Sequence, residues 1–126
     1  MNWLLVACGG AIGASLRYGI TLSLSQTGSL FPWATWWINL LGCFCAGIFF
    51  AISQKYAVLQ QETRLFLMVG ILGGFTTFSS FGLETFQLLR QNEIAMGLAY
   101  SLSSLIMGVL LLTAGFYLFQ YLLCNR

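Results

Sequence analysis

The chain has 126 residues, of which 59% are hydrophobic and only 6% charged, and its mean hydropathy is +0.86. Soluble domains carry about 25% charged residues, and so short a chain could not bury this much apolar surface in a soluble fold. The composition therefore predicts an all-α integral membrane protein with one domain over 1–126. A net charge of +2, with five basic residues in no cluster, argues against a nucleic-acid surface.

The first span is predicted from Trp3 to Leu24, long enough to cross a core of about 30 Å. It has no basic region ahead of it and no polar mature domain after it, so it reads as a retained span and not a cleaved signal peptide. Gly9, Gly10, Gly13 and Ala14 form a small-residue face, and the Gly9–Gly13 pair allows close helix approach. Arg17 lies deep enough to need a partner or to snorkel.

Ser25 to Phe31 is predicted as a short polar loop, with Pro32 opening the next helix as a first-turn proline. The second span is placed from Trp33 to Ser53, with Trp33, Trp36 and Trp37 at the membrane interface. Its one strongly polar interior residue is Asn39. Thr35 lies one turn before Asn39, and Gly42 and Ala46 continue nearly the same face. A polar loop follows from Gln54 to Arg64, including Lys55, Gln60, Gln61 and Glu62.

The third span is placed from Leu65 to Leu89, with a break near Gly73 to Thr77 in mid-membrane. There the sequence reads Gly73-Gly74-Phe75-Thr76-Thr77-Phe78-Ser79-Ser80-Phe81, with Glu84 one turn further on. Each glycine lowers helix propensity by about 1 kcal/mol relative to Ala, and Thr76, Thr77, Ser79 and Ser80 can bond the backbone groups that a break frees. Such a break survives in hydrocarbon only when buried in protein or lining a wet path. Arg90, Asn92 and Glu93 make a tight connection to a fourth span from Ile94 to Leu123, where Tyr100, Ser104 and Gly108 share a face. Four spans put both termini on one side, with Lys55, Arg64 and Arg126 there against Arg90 and Arg17 opposite. This weak bias is compatible with insertion in either orientation.

Catalysis finds little support. The chain has no His, no paired carboxylate, no nucleophile beside a base and no phosphate-binding loop, so it is not expected to be an enzyme. Cys8, Cys43, Cys45 and Cys124 form no CxxC pair and read as small hydrophobes, not a disulfide framework or zinc site. The polar groups suit transport better. Phe78 and Phe81 are adjacent turns of one face; they are ordinary packing, or their positive ring edges form a weak anion site. Weak binding suits conduction, because a bound ion must also leave. Asn39 is an interhelical hydrogen-bonding group or an amide donor to an anion. Two roles are open to Arg17, anion attraction at a vestibule or anchoring of its helix. Three are open to Glu84: titration, proton acceptance or bracing of the helices.

Three motifs together resemble the Fluc/CrcB fluoride channels. Gly9-Gly10-Ala11-Ile12-Gly13-Ala14-Ser15-Leu16-Arg17-Tyr18 is similar to that family's first-helix opening. Thr35-Trp36-Trp37-Ile38-Asn39-Leu40-Leu41-Gly42 is similar to its second-helix motif, and the Gly73–Phe81 stretch with Glu84 to its third. The resemblance covers essentially the whole chain. It implies an antiparallel, dual-topology homodimer with two pores in a prokaryotic inner membrane, passively exporting cytoplasmic fluoride and giving fluoride resistance. Phe78 and Phe81 would be the paired pore rings, Asn39 the pore asparagine, and Arg17 the vestibule arginine. Thr77, Ser80, Tyr100, Ser104 and Glu84 would contribute to the polar track. Gly73 and Thr76 would hold a structural sodium ion through main-chain carbonyls at the dimer interface. Where some relatives place further hydroxyls, this chain has Gly108 and Leu112, and it has Ser80 where Thr is usual.

Two rival readings differ in what they require. A small multidrug-type, proton-coupled exporter needs a carboxylate within its first helix, and that helix here holds Arg17 and no acid. A structural membrane subunit uses the polar groups only for packing, and its ion flux would be indifferent to them.

Overall fold

The computed structural model describes residues 1–56 and 61–125. The charge count drew on Arg126 and the loop assignment on Gln60; both lie outside the described residues. The regular structure of the described residues is all helical, with four segments long and apolar enough to cross a membrane: Asn2–Thr27, Trp33–Lys55, Glu62–Arg90 and Ile94–Cys124. We label the helices α1 (Asn2–Leu24), α2 (Trp33–Lys55), α3 (62–75), α4 (Phe78–Arg90) and α5 (Ile94–Cys124). A short 3₁₀ turn, Ser25–Thr27, extends α1.

The helices pack as two close pairs. α1 lies along α3, and α2 lies along α5; contact between α1 and α2 is slight. Glycine sets both approaches. A Cβ on Gly9 would sit 2.6 Å from the Phe66 carbonyl oxygen, and one on Gly13 would overlap that of Ile71. Gly47 meets the Leu112 carbonyl in the other pair, and Gly115 would place a Cβ 2.5 Å from that of Phe44. Without a hydrophobic drive between helices in lipid, such backbone contact supplies much of the association energy.

Three boundaries differ from the sequence reading. α2 runs on through Gln54 to Lys55, and α3 begins at Glu62, so the loop expected over Gln54 to Arg64 is shorter at both ends. Gln, Lys, Glu and Arg are good helix formers and carry a span past the apolar zone. Pro32 is the residue before the helix, not its first turn, and its carbonyl accepts from the Trp36 N–H at 3.1 Å. Gly73 and Gly74 are helical. A Cβ on Gly74 would lie 2.5 Å from the Gly10 carbonyl oxygen, so this glycine serves close packing on α1 and not a loss of helix.

The helical run of α3 ends at Phe75. Thr76 (φ −78°, ψ 157°) and Thr77 (φ −149°, ψ 115°) are extended, and α4 starts at Phe78. Upstream, Leu65–Leu72 is wound as a π-helix, a form that is rare and tends to occur at functional sites. The α4–α5 turn is tight because Asn92 adopts φ +61°. The Asn92 N–H then reaches the Leu89 carbonyl (3.2 Å) and the Glu93 N–H that of Leu88 (2.9 Å), the paired bonds of a Schellman cap.

Candidate functional site

A groove of about 480 Å³ opens beside the extended Thr76–Thr77 segment. It is lined by Asn39, Gly73, Thr76, Thr77, Phe78, Phe81 and Ser104, together with apolar neighbours that include Leu112. No lining residue carries a formal charge. Seven residues singled out from the sequence thus meet on one wall. Ser80, Tyr100 and Glu84 lie next to it, while Arg17 is half-buried on α1 and does not line it.

The extended segment is held from α2. The Asn39 side-chain oxygen accepts from the Thr77 N–H at 2.9 Å, and Asn39 Nδ2 donates to the Thr77 carbonyl at 3.2 Å. One carboxamide thereby pairs both backbone groups of one extended residue, as a neighbouring strand would. Gly42, one turn along α2, lets the two segments approach, since a Cβ there would collide with the Thr76 methyl. Thr77 in turn caps α4: its Oγ1 accepts from the Ser80 N–H at 3.2 Å and donates to Ser80 Oγ at 3.0 Å. Thr76 closes the end of α3, where its N–H (2.9 Å) and Oγ1 (2.8 Å) both donate to the Leu72 carbonyl.

These side chains release two carbonyls. In a continuous α-helix the Gly73 carbonyl would accept from the Thr77 N–H, and the Thr76 carbonyl from the Ser80 N–H. Here the first N–H goes to Asn39 and the second to the Thr77 hydroxyl. Two neutral oxygens three residues apart are left without those partners. Such oxygens are the donor type that a hard cation prefers, so the chemistry of the set fits a sodium ion.

On α4 the Phe78 and Phe81 rings lie 5.7 Å apart with planes 35° to one another. Phe78, which lines the groove, is 84% exposed in the single chain. Phe81 turns inward against Tyr100, at 5.2 Å between centroids. Beyond Tyr100 stands Glu84. One of its carboxyl oxygens accepts from Thr35 Oγ1 and the other from the Tyr100 hydroxyl, both at 2.7 Å. Of the roles open to Glu84, the geometry displays bracing: one carboxyl group ties α2, α4 and α5 together.

A count of donor hydrogens separates the track residues. Tyr100 spends its proton on Glu84, and Ser104 donates to the Tyr100 carbonyl at 2.6 Å. Asn39 uses one of its two amide hydrogens on Thr77. Its other hydrogen, and that of the Ser80 hydroxyl, donate to no other described group. Gly108 is buried against Cys43, where a Cβ would lie 3.3 Å from the sulfur, and Leu112 faces the groove. That end of the groove is therefore apolar.

Sequence reasoning set Thr35 on the Asn39 face without a role, and its spacing of one turn was the available signal. Phe31 and Ser103 had none. Phe31 stands edge-on to Tyr100, and Ser103 accepts from Trp36 Nε1 at 3.0 Å. Both contacts are long-range in sequence.

The helices and the groove define a multi-pass membrane protein with an uncharged, partly polar channel-like cleft. Residues 4–116 match the family model described as "CrcB-like protein, Camphor Resistance (CrcB)". A relative from Thermus thermophilus, curated as "Fluoride-specific ion channel FluC", is 47% identical over 118 residues, covering 93% of this chain and 94% of the relative. Relatives under the same description from Chloroflexus aurantiacus (42% identical, 90% and 91% covered) and Phocaeicola vulgatus (36%, 91% and 95% covered) extend the likeness. The chain belongs to the CrcB family.

Proposed function

We propose that this chain is a fluoride-selective channel that passively exports cytoplasmic fluoride and so gives fluoride resistance. The observation that carries the reading is the groove itself. An uncharged wall with two aromatic rings and an amide suits a small anion that must bind weakly and leave. The relatives' shared description as fluoride-specific channels supports the same ion.

The functional unit in this reading is an antiparallel homodimer of two such chains in a prokaryotic inner membrane. The open groove and the 84% exposed Phe78 support a second copy that completes each pathway. The extended Thr76–Thr77 segment then lies in mid-membrane, buried between chains. Gly73 and Thr76 carbonyls from both chains hold a structural sodium ion, which supplies a fixed positive charge at the dimer centre. Phe78, Phe81, Asn39, Thr77 and Ser80 line the pathway, Ser104, Tyr100 and Glu84 continue it, and Arg17 draws anions to the vestibule.

The test is anion release from liposomes containing the purified protein, with valinomycin to dissipate the potassium potential. Fluoride should leave rapidly while chloride is retained. Retention of both ions by folded, dimeric protein would refute the channel.

A further inference from the structure

The wall of the groove that α2 and α5 share is built in rungs. The two helices run in the same direction, with Trp36 beside Ser103, Cys43 beside Gly108 and Lys55 beside Leu123. Asn39 and Ser104 both line the groove. Cys43 is four residues past Asn39 and Gly108 four past Ser104, so each lies about 6 Å further along its helix at 1.5 Å per residue. These two residues make the next rung, because a Cβ on Gly108 would stand 3.3 Å from the Cys43 sulfur.

That rung is one-sided. Gly108 is buried and has no side chain to offer, whereas Cys43 lines the groove and is half-buried. Its thiol is free and donates to no other described group. Past Asn39 on α2 and Ser104 on α5, the described residues that line the groove are Gly42, Cys43, Ala46, Leu105 and Leu112. Among them only Cys43 carries a side-chain donor hydrogen. One turn back, Asn39 holds an amide hydrogen that Thr77 does not use. An anion moving along the groove from Asn39 toward Leu112 therefore meets one side-chain donor on these two helices, and it is sulfur.

We propose that the Cys43 thiol is a donor in the anion path, receiving the ion from Asn39 at the level where α5 presents a glycine. The proposal rests on the channel reading. An ion that gives up water must be compensated by groups along its path, and must still leave each of them. A thiol donates weakly, so it eases the passage without trapping the ion. Gly108 belongs to the same arrangement, since a side chain there would crowd the sulfur.

The experiment measures fluoride and chloride release from liposomes for wild type, Cys43→Ala, Cys43→Ser and the double variant Cys43→Ala with Gly108→Ser. Each protein is first shown to be a monodisperse dimer. Alanine removes the donor, and serine restores one at nearly the same size. The double variant moves the donor across the rung, where the sulfur is the one neighbour within 4 Å of the new Cβ and is now gone. One hydrogen bond corresponds to a factor of about 2 to 10. Cys43→Ala should slow fluoride release by about that factor, while Cys43→Ser and the double variant should match or exceed the wild-type rate, all with chloride retained. A wild-type rate in Cys43→Ala overturns the proposal. So does a serine or double variant as slow as Cys43→Ala, because the loss then follows from size and not from the donor. Chloride release by Cys43→Ala overturns it as well, since the residue then only keeps the helices packed. Should Cys43→Ala not fold, Cys43→Val, which fills the space without a donor, is judged against Cys43→Ser by the same criteria. A wild type that releases no fluoride overturns the channel reading and the donor with it, whereas equal release by every variant overturns the donor alone.

Discussion

Asn39→Ala removes the one side chain that holds Thr77 in its extended conformation. Two interhelical hydrogen bonds are lost, worth about 0.6 kcal/mol each within a membrane. The Thr77 N–H and carbonyl are then left unpaired beside a part-buried residue, and each such group costs about 1–3 kcal/mol. With partial relaxation of the segment, the loss should be about 2–4 kcal/mol. Asn39→Asp keeps the acceptor for the Thr77 N–H but sets a second oxygen against the Thr77 carbonyl, 3.2 Å away in the native pair. Unpaired in the membrane and set against that carbonyl, the new charge should cost at least as much stability as Ala and slow fluoride at least as much. The assay is the midpoint of detergent unfolding for all three proteins, measured beside fluoride release. A pure anion-binding role for Asn39 predicts slower release with an unchanged midpoint. An alanine variant as stable as wild type would therefore refute the clamp.

Other substitutions probe separate parts of the same architecture. Gly13→Ala drives a methyl into the Ile71 carbonyl, a backbone atom that cannot step aside, so overpacking of about 1–3 kcal/mol should lower the yield of monodisperse protein. Gly10→Ala, where nothing lies within 4 Å of the new Cβ, is the matched control and should be recovered at wild-type yield. Tyr100→Phe deletes the proton given to Glu84; stability should fall by about 0.5–1.5 kcal/mol, and fluoride release should slow with chloride still retained. Phe81→Ile should abolish fluoride release from protein that still elutes as the native species, and retention of the wild-type rate would remove the ring pair from the pathway.

How much of this was legible beforehand differs from residue to residue. The four spans follow from composition and length, because lipid demands about 20 apolar residues in a row whatever they later touch. The Gly9–Gly13 face was equally readable, since helical spacing alone puts small residues on one side. Asn39, Phe78 and Phe81 stood out as polar or aromatic groups in apolar surroundings. Spacing also hinted that Thr35 shares the Asn39 face. What spacing could not supply is the identity of a partner. That Asn39 pairs with the Thr77 backbone, that Glu84 joins Thr35 to Tyr100, and that Gly74 meets Gly10 are contacts between segments many residues apart. The glycine pair illustrates the limit. The break was expected near Gly73 to Thr77, partly on the low helix propensity of the glycines; packing keeps Gly73 and Gly74 helical, and the chain extends at Thr76 and Thr77, where Asn39 and a threonine cap replace the missing bonds. Local composition determined that this chain crosses a membrane and which residues would be costly there. Only the tertiary structure decided which backbone groups they satisfy, because the free energy of a buried polar group belongs to the pair and not to the residue.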